Sequence, residues 1–332
     1  MVKYFKTNGA LLEQCAEFNP RCWIDMVNPD DGECEEVSRL TGVPEDMIKA
    51  ALDEEERART EFDDGCSMFV VDCPVIEESD DGGDSYTTLP LAVIYNELCI
   101  ITVCLKGNTV LKNFILGKEQ ISTQKPVHFI LTFMLGNAKR FLYCLKQIDR
   151  KTRRIQSEIE RTMRNSEIIQ LLDLQNSLVY FSTSLTSNER VHEKFDKVEG
   201  VRTREELTDL YEDVIIESKQ AIETCNIYKN ILSVTMDAYG SVISNNANDS
   251  MRKLTIITIL LAVPTMIAGF WGMNMPVPGE SGVSFLQTGW FWLVVVGTAL
   301  LTAAIAVFMV KGNPFKKGIR PKKKKKRDKK EK

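Results

Sequence analysis

The residues with the clearest chemical potential form the tripeptide Gly272-Met273-Asn274, which ends the apolar run 254–274. Glycine permits a turn at a helix end, and the Gly272 carbonyl and the Asn274 amide oxygen are neutral hydrogen-bond acceptors. A hard cation such as Mg²⁺ releases its water shell reluctantly, so neutral oxygens can hold the hydrated ion without trapping it. The tripeptide suits a site for a hydrated cation, although Asn274 equally suits a helix cap at a membrane surface.

A second set of positions lies on one helix face, at a spacing near 3.5 residues, which is the repeat of a supercoiled helix. The set begins just before the apolar run 254–274 and continues through it. Thr258 and Thr265 place hydroxyl oxygens on this stripe, whereas Ala262 and Gly269 keep it narrow. Small residues and threonine also pack helices together in membranes, so the stripe predicts either an ion-lining face or a helix–helix contact. We call these positions the stripe: Asn248, Met251, Thr255 or Leu254, Thr258, Ala262, Thr265 and Gly269.

These residues belong to the first of two apolar runs, 254–274 and 290–310, which the loop 275–289 separates. A helix rises about 1.5 Å per residue, so each run can cross a hydrocarbon core of ~30 Å. From 254 to 310 there is no Lys or Arg, and Glu280 is the only acid. The pattern favours a transmembrane hairpin over a buried hairpin of a soluble core. Glu280 either raises the cation concentration at the outer mouth or is a solvated loop acid.

Basic residues flank the hairpin on both sides, with Arg252 and Lys253 before it and the lysine-rich tail 311–332 after it. The positive-inside rule places both flanks in the cytoplasm and 275–289 outside. No N-terminal apolar stretch resembles a signal peptide, so residues 1–253 are expected to stay inside. We expect a multi-pass protein of the cell (inner) membrane with both termini cytoplasmic, whose basic tail contacts anionic membrane lipid.

The chain before the hairpin divides into two regions by pattern. Residues 1–123 carry turn, strand and short-helix signals of a mixed α/β domain. Pro74, within the strand-like segment 67–76, indicates a sheet edge or a bulge. Residues 124–253 have helical periodicity and predict an antiparallel helix pair followed by a long third helix.

Composition excludes several classes of function. The formal net charge is -4, but residues 311–332 hold 13 of the 42 Lys and Arg and two of the 46 acids. The rest of the chain is therefore acidic, which disfavours nucleic-acid binding and suits either divalent-cation binding or ordinary solubility. The nine cysteines include no CxxC pair, and residues 251–310 contain no Cys or His, so a soft-metal site is not indicated. With no nucleotide loop and no nucleophile–base constellation, we predict that the chain is not an enzyme.

Several motifs together resemble the CorA family of magnesium channels. They are GMN at the outer end of the penultimate span, the preceding SNNANDSMRKLTIITILL, and the N-terminal WIDMVNPDDGECEEVSRLTGV and LDEEERARTEFDDG. The resemblance covers nearly the whole chain. It implies an α+β cytoplasmic domain, a long-helix stalk and a two-helix C-terminal transmembrane hairpin, assembled as a homopentameric funnel. The implied activity is passage of hydrated Mg²⁺ into the cytoplasm, with Co²⁺ and Ni²⁺ tolerated.

The resemblance also assigns roles to individual pore residues. Five copies of Asn274 would form a ring at the outer mouth. Asn248, Met251 and Leu254 would line the cytoplasmic neck, where the two apolar side chains form a gate that blocks ions by dewetting.

One long helix is implied to join the soluble part to the first span, but two sequence features oppose it. Helix propensity alone predicts a break at Gly240 and at 245–248, whereas the resemblance implies continuity there. Pro264, in the middle of the first span, should bend the helix.

The family closes when cytoplasmic Mg²⁺ bridges acids of neighbouring subunits, which makes Mg²⁺ both the transported and the regulatory ion. By resemblance Asp213 is the stalk acid at that boundary, although it could equally be a surface helix acid. Its partner in the α/β domain is chosen by position near a strand end, and the candidates are Asp72, Glu77 and Glu78.

Two other functions stay open on the sequence. A ZntB-like zinc transporter would share the two-span architecture. A membrane-anchored coiled-coil scaffold or sensor would share the long helix but would carry no ion. Metal-ion flux separates both transporters from the scaffold.

Overall fold

The computed structural model describes residues 1–9, 11–63, 65–78, 84–162, 165–199, 201, 205–272 and 289–311. The chain divides into two compact units, Met1–Tyr239 and Gly240–Lys332.

Seven strands of the first unit form one mixed sheet. They are β1 (Val2–Asn8), β2 (Leu11–Cys15), β3 (Cys22–Val27), β4 (Arg59–Asp63), β5 (Cys66–Glu78), β6 (Asp84–Tyr95) and β7 (Cys99–Cys104). Their order across the sheet is β2-β1-β3-β7-β6-β5-β4. β3 and β7 pair in parallel, and the other neighbouring strands pair antiparallel.

Helices cover both faces of this sheet, because successive side chains of a strand point to opposite faces. On β3, Trp23 and Ile24 are both fully buried, one in each of two separate hydrophobic clusters. The cluster around Ile24 includes the small helices that follow β3, and the cluster around Trp23 includes the later helices. The helices are α1 (Asp31–Thr41), α2 (Glu45–Lys49), α3 (Thr109–Ile115), α4 (Pro126–Thr162), α5 (Asn165–Glu199), α6 (Glu205–Gly272) and α7 (Gly289–Lys311).

Aromatic contacts fix α3 and α4 on the Trp23 side of the sheet. The Trp23 ring lies 6.4 Å from the ring of Phe114 and 5.3 Å from that of Phe129, measured between centroids. Gly136 lies where α4 meets α3, and a Cβ atom there would approach Val110 Cγ1 to 2.5 Å. A larger residue at this position would push the two helices apart.

The predicted antiparallel helix pair is α4 and α5. Ile159, near the end of α4, shares a cluster with Leu171 near the start of α5, whereas Phe129 at the start of α4 shares one with Phe195 near the end of α5. α6 adds a third buried seam to the pair through Ala221, Cys225 and Leu232.

α6 continues without a break from Glu205 to Gly272, through Gly240, 245–248 and Pro264. The continuity implied by the resemblance is confirmed, and the break predicted from propensity is wrong. A glycine costs only about 1 kcal/mol in a helix interior, and a helix that is already nucleated needs only to propagate.

Pro74 lies on β5 beyond Val70, the last residue of β5 that pairs with β4 in the register. The strand therefore has no β4 neighbour at Pro74, which explains how a residue without an N–H is accommodated inside a long strand.

The second unit contains the end of α6 and α7. Both helices are long and apolar enough to cross a membrane, and none of the residues in their most apolar stretches is buried within the chain.

A buried polar chain links β3 and β7 on the Trp23 side of the sheet. Trp23 Nε1 donates to Thr102 Oγ1 at 2.8 Å, and Thr102 Oγ1 donates to Asp25 Oδ1 at 3.0 Å. Burial raises the pKa of Asp25, and the Thr102 hydrogen bond and the Lys3 charge only partly oppose it. The folded state therefore holds the Asp25 proton more tightly than the unfolded state does.

This raised pKa predicts a stability change with pH. As pH rises above the ordinary aspartate pKa of about 3.9, the unfolded state ionises freely while folded Asp25 ionises at a cost, so stability falls. Asp25→Asn removes that cost. The measurement is the thermal unfolding midpoint of the variant minus that of wild type, both in the same detergent. This difference should be more positive at pH 7 than at pH 4. The control is Asp209→Asn at an exposed position, whose difference from wild type should be the same at both pH values. An equal difference at both pH values for Asp25→Asn would contradict an ionisation cost at Asp25.

Candidate ion pathway and regulatory acids

Every residue of the stripe is exposed within the single chain. Met251 and Leu254, for example, are 62% and 66% exposed. The partly covered positions of α6 recur at three- and four-residue intervals on another side of the helix: Ile256, Ile259, Leu260, Val263, Pro264 and Ile267. The stripe and the covered side therefore face different directions around α6.

α7 also has a partly covered side with helical spacing. A cavity of about 340 Å³ is lined by Thr255 and Ile256 of α6 and by Phe308 and Met309 of α7. Thr255 is the stripe residue that borders this cavity. The partly covered positions of α7 are Val294, Thr298, Thr302, Ile305, Ala306 and Met309.

The stripe threonines bond back to their own helix. Thr258 Oγ1 donates to the Leu254 carbonyl at 2.9 Å, and Thr265 Oγ1 donates to the Leu261 carbonyl at 2.8 Å. Each hydroxyl hydrogen is thus used, and the oxygen keeps only its capacity to accept. Thr298 of α7 makes the same bond at 2.7 Å but on the partly covered side, so exposure distinguishes Thr258 and Thr265 from Thr298.

Gly272 is the last residue of α6. Met273, Asn274 and Glu280 lie outside the described residues, so their sequence-based roles stay predictions.

The candidate regulatory acids occupy different surroundings. Asp213 is exposed on α6, and Asp72 is partly buried on β5. Glu77 forms an ion pair with Lys106, and Glu78 lies in β5 with a side chain outside the described set. Among the described residues no hydrogen bond or ion pair joins Asp213 to Asp72 or Glu77, and no group of three His, Cys, Asp or Glu could hold a metal ion. A site bridging two subunits would draw its acids from two copies of the chain.

Two asparagines bind the backbone of Asp72 where β4 has ended. The Asn188 side chain accepts from the Asp72 N–H at 2.9 Å and donates to the Asp72 carbonyl at 2.8 Å. Asn137 Nδ2 donates to the same carbonyl at 2.9 Å. Asn188 of α5 therefore supplies the donor and acceptor that a neighbouring strand would supply, and Asn137 ties α4 to the same point.

The Asp72 carboxyl group is set apart from this backbone clamp. Burial raises its pKa, and a hydrogen bond from Ser184 partly opposes the effect. A carboxylate desolvated in this way gains more from a nearby cation than an exposed one does. The sequence analysis did not identify Asn137 and Asn188. Each lies at a position where the helical pattern calls for an apolar residue, and an amide at such a position indicates a buried polar group.

Comparison with known proteins gives one consistent family. Residues 20–317 match the family described as CorA-like Mg²⁺ transporter protein. The cobalt/magnesium transport protein CorA of Methanocaldococcus jannaschii is 28% identical over 86% of this chain and 88% of its own length. The complete structure of the CorA magnesium transporter from that organism has a TM-score of 0.72 at 21% identity, over 96% of this chain and 98% of that one. The ZntB cytoplasmic domain from Vibrio parahaemolyticus has a TM-score of 0.56 at 12% identity, over 74% of this chain and 98% of that one.

The α/β unit, the long helix and the two apolar helices define the class as a two-span, membrane-embedded transporter of divalent metal ions. The chain belongs to the CorA-like Mg²⁺ transporter family, whose model matches most of its length. The full-length CorA structure confirms the predicted α/β domain, long helix and C-terminal apolar helices, whereas the pentamer stays a prediction. Because the family transports ions, the prediction that the chain is not an enzyme is confirmed as well, and the scaffold alternative loses its support.

Asn188→Ala tests the clamp at Asp72. The substitution leaves a buried N–H without a partner and removes one of two donors to the carbonyl, so the free energy of unfolding should fall by about 2 kcal/mol. Denaturant unfolding of the full chain in detergent measures the change. The matched control is Asn176→Ala, an exposed asparagine on the same helix, which should change stability by less than about 0.5 kcal/mol. Equal effects would contradict the clamp.

Proposed function

We propose that this chain assembles as a homopentamer in the cell membrane, with both termini in the cytoplasm, and passes hydrated Mg²⁺ inward. Co²⁺ and Ni²⁺, as hydrated ions of similar size, are expected to pass as well. The central pathway is proposed to be the stripe of α6, repeated around the axis, with Asn274 at its outer end.

The observation that carries this proposal is the exposure of two hydroxyl acceptors, Thr258 and Thr265, on one side of an apolar helix. Water molecules bound to a cation direct their hydrogens outward, so a wall that holds the hydrated ion must accept hydrogen bonds. Thr258 and Thr265 use their own hydrogens on the helix backbone and are left as acceptors. Packing against α7 does not account for their position, because the partly covered side of α6 is a different one.

The chemistry of the span favours Mg²⁺ over softer metals. Residues 251–310 contain no Cys or His, the ligands that Zn²⁺ and Cu⁺ prefer. The similarity to the ZntB domain, at 12% identity, concerns the fold and does not choose between ions. Inclusion of Zn²⁺ in flux assays therefore tests the zinc alternative directly.

The neck is proposed to close through apolar side chains. Met251 and Leu254 are exposed at the cytoplasmic end of the span, where five copies would form two apolar rings. A narrow apolar ring expels water and so blocks a hydrated ion.

Flux through proteoliposomes tests the acceptor stripe. Thr258→Val keeps the shape of the side chain but removes the acceptor oxygen, so Mg²⁺ flux should fall by about threefold to tenfold.

Asn274→Ala should abolish flux, because it removes the proposed outer ring. Measurements with Mg²⁺, Co²⁺, Ni²⁺ and Zn²⁺ in parallel define the ion preference.

The matched control is Thr298→Val, which removes the same back-bonded hydroxyl from the partly covered side of α7. Its flux should stay near wild type. If Thr298→Val and Thr258→Val lower flux equally, the hydroxyls serve helix packing and the pathway is elsewhere. Unchanged flux in Asn274→Ala would remove the outer ring from the proposal.

Regulation is proposed to use cytoplasmic Mg²⁺ bound between subunits by Asp213 of one copy and an acid of the β5 end of another, with Asp72, Glu77 and Glu78 as candidates. The exposure of Asp213 and the desolvation of Asp72 support this pairing. A bound Mg²⁺ would relieve repulsion between the carboxylates, and its loss would let the subunits separate.

Asp213→Ala should weaken shut-off of uptake at high internal Mg²⁺, raising the half-inhibitory concentration by about tenfold if one carboxylate ligand is worth roughly 1.4 kcal/mol. Liposomes loaded with graded Mg²⁺ give this value. Asp209→Ala, an exposed acid one turn earlier on α6, should leave it unchanged. An unaltered shut-off in Asp213→Ala would discard the assignment without affecting the proposed pathway.

A further inference from the structure

A small, partly open cavity lies in the first unit, far along the chain from the stripe. It forms where β7 ends at Cys104 while β5 and β6 continue, so that the turn after β7 and the start of α3 lie over the open edge of β6. Its volume is about 120 Å³. The lining residues are Cys73, Pro74, Val75, Ile76, Leu89, Pro90, Leu91, Cys104, Lys106, Gly107, Asn108, Thr109 and Arg140.

The charges on this lining all have one sign. Arg140 of α4 and Lys106 are the cations, and no acid lines the cavity among the described residues. Lys106 is already paired with Glu77, which lies outside the lining. In a cytoplasmic part that is acidic in balance, such a local excess of positive charge points to an anionic ligand.

Arg140 carries an unused donor. Its Nε is buried and has no hydrogen-bond partner among the described residues. The guanidinium carbon lies 4.9 Å from the centroid of the Tyr143 ring, and this stacking holds the planar group in place. A buried N–H without a partner costs free energy, which a ligand oxygen would recover.

The remaining wall is neutral. Burial raises the pKa of Cys104 to about 12 and raises that of Cys73 as well, so both thiols are uncharged at neutral pH. Asn108 and Thr109 add polar groups at the start of α3. No negative charge on this wall therefore competes with an anion for Arg140.

We propose that this cavity binds a phosphate group through the guanidinium of Arg140. A water molecule occupies about 30 Å³ in the liquid, so the cavity has room for roughly four waters or one tetrahedral oxyanion. The planar guanidinium donates two parallel hydrogen bonds to such an anion, which a lysine ammonium cannot do.

The phosphate can come from inorganic phosphate or from a nucleotide. A second cavity of about 640 Å³ shares Leu89 and Lys106 with the first. Its lining holds two further cations, Lys151 and Arg154, and four acids, Glu54, Glu77, Asp84 and Asp173. Its volume lies in the range of small-molecule sites, which is about 300 to 1,000 Å³. A nucleotide would place its terminal phosphate at Arg140 and its remainder in this second cavity, whereas free phosphate would occupy the first cavity alone.

Calorimetric titration of the full chain in detergent, without divalent metal, tests the site with two probes, inorganic phosphate and ATP. At least one probe should bind saturably at one per chain, and preference for ATP over phosphate identifies the nucleotide as the source. Arg140→Gln should weaken that binding by about tenfold or more. The control Lys139→Gln removes an equal charge one residue away, outside the lining, and should bind as wild type does.

Thr109→Glu is a second variant that does not depend on Arg140 for folding. Thr109 is exposed at the first position of α3, where a carboxylate is favourable, and the new side chain would compete for the guanidinium. Binding should be lost while the thermal midpoint is retained. Absence of saturable binding for both probes, or equal affinity in wild type and Thr109→Glu, would overturn the site. Neither result bears on the proposed ion pathway.

Discussion

The requirement that every backbone N–H and C=O be bonded inside a bilayer governs the end of α6 more than any other interaction. It keeps this stretch helical through Pro264. The hydroxyl hydrogens of Thr258 and Thr265 also need a partner where water is absent, and they donate to the carbonyls one turn before them. A side chain that has donated in this way can only accept. The same constraint that permits the helix to cross lipid therefore leaves acceptor oxygens on the stripe, and the proposed ion pathway draws on them.

The first unit meets a different constraint, because there the backbone must be satisfied beside a sheet of unequal strands. β5 continues beyond β4, and at Asp72 the unpaired strand backbone is bonded by Asn188 and Asn137. This arrangement ties β5 to α4 and α5 at a single residue. The Asp72 carboxyl, left out of that bonding, is partly desolvated, and the proposed regulatory role draws on this environment.

Much of the fold follows from local pattern. The antiparallel helix pair and the second apolar run have periodicities and lengths that few other structures satisfy. α4 and α5 lie within the predicted helical region 124–253, and α7 spans Gly289–Lys311 where the sequence predicts 290–310. The continuity of α6 at Gly240 did not follow from propensity, because single weak helix formers are outweighed by helix on both sides. The β1–β2 hairpin was not anticipated, since its edge strand alternates only weakly between apolar and polar residues.

The sequence alone determined the two apolar runs, their flanking charges and the hydroxyl-bearing positions of the first run, because length, charge and residue type are local properties. Tertiary structure decided which side of α6 packs against its own chain and which side remains free. It also decided that the Asn188 side chain bonds the strand backbone at Asp72 and that Arg140 lines a cavity without acids among the described residues. A local pattern can mark a residue such as Asn188 as buried, but it cannot name a partner far along the chain, so only the packed structure brings these residues together.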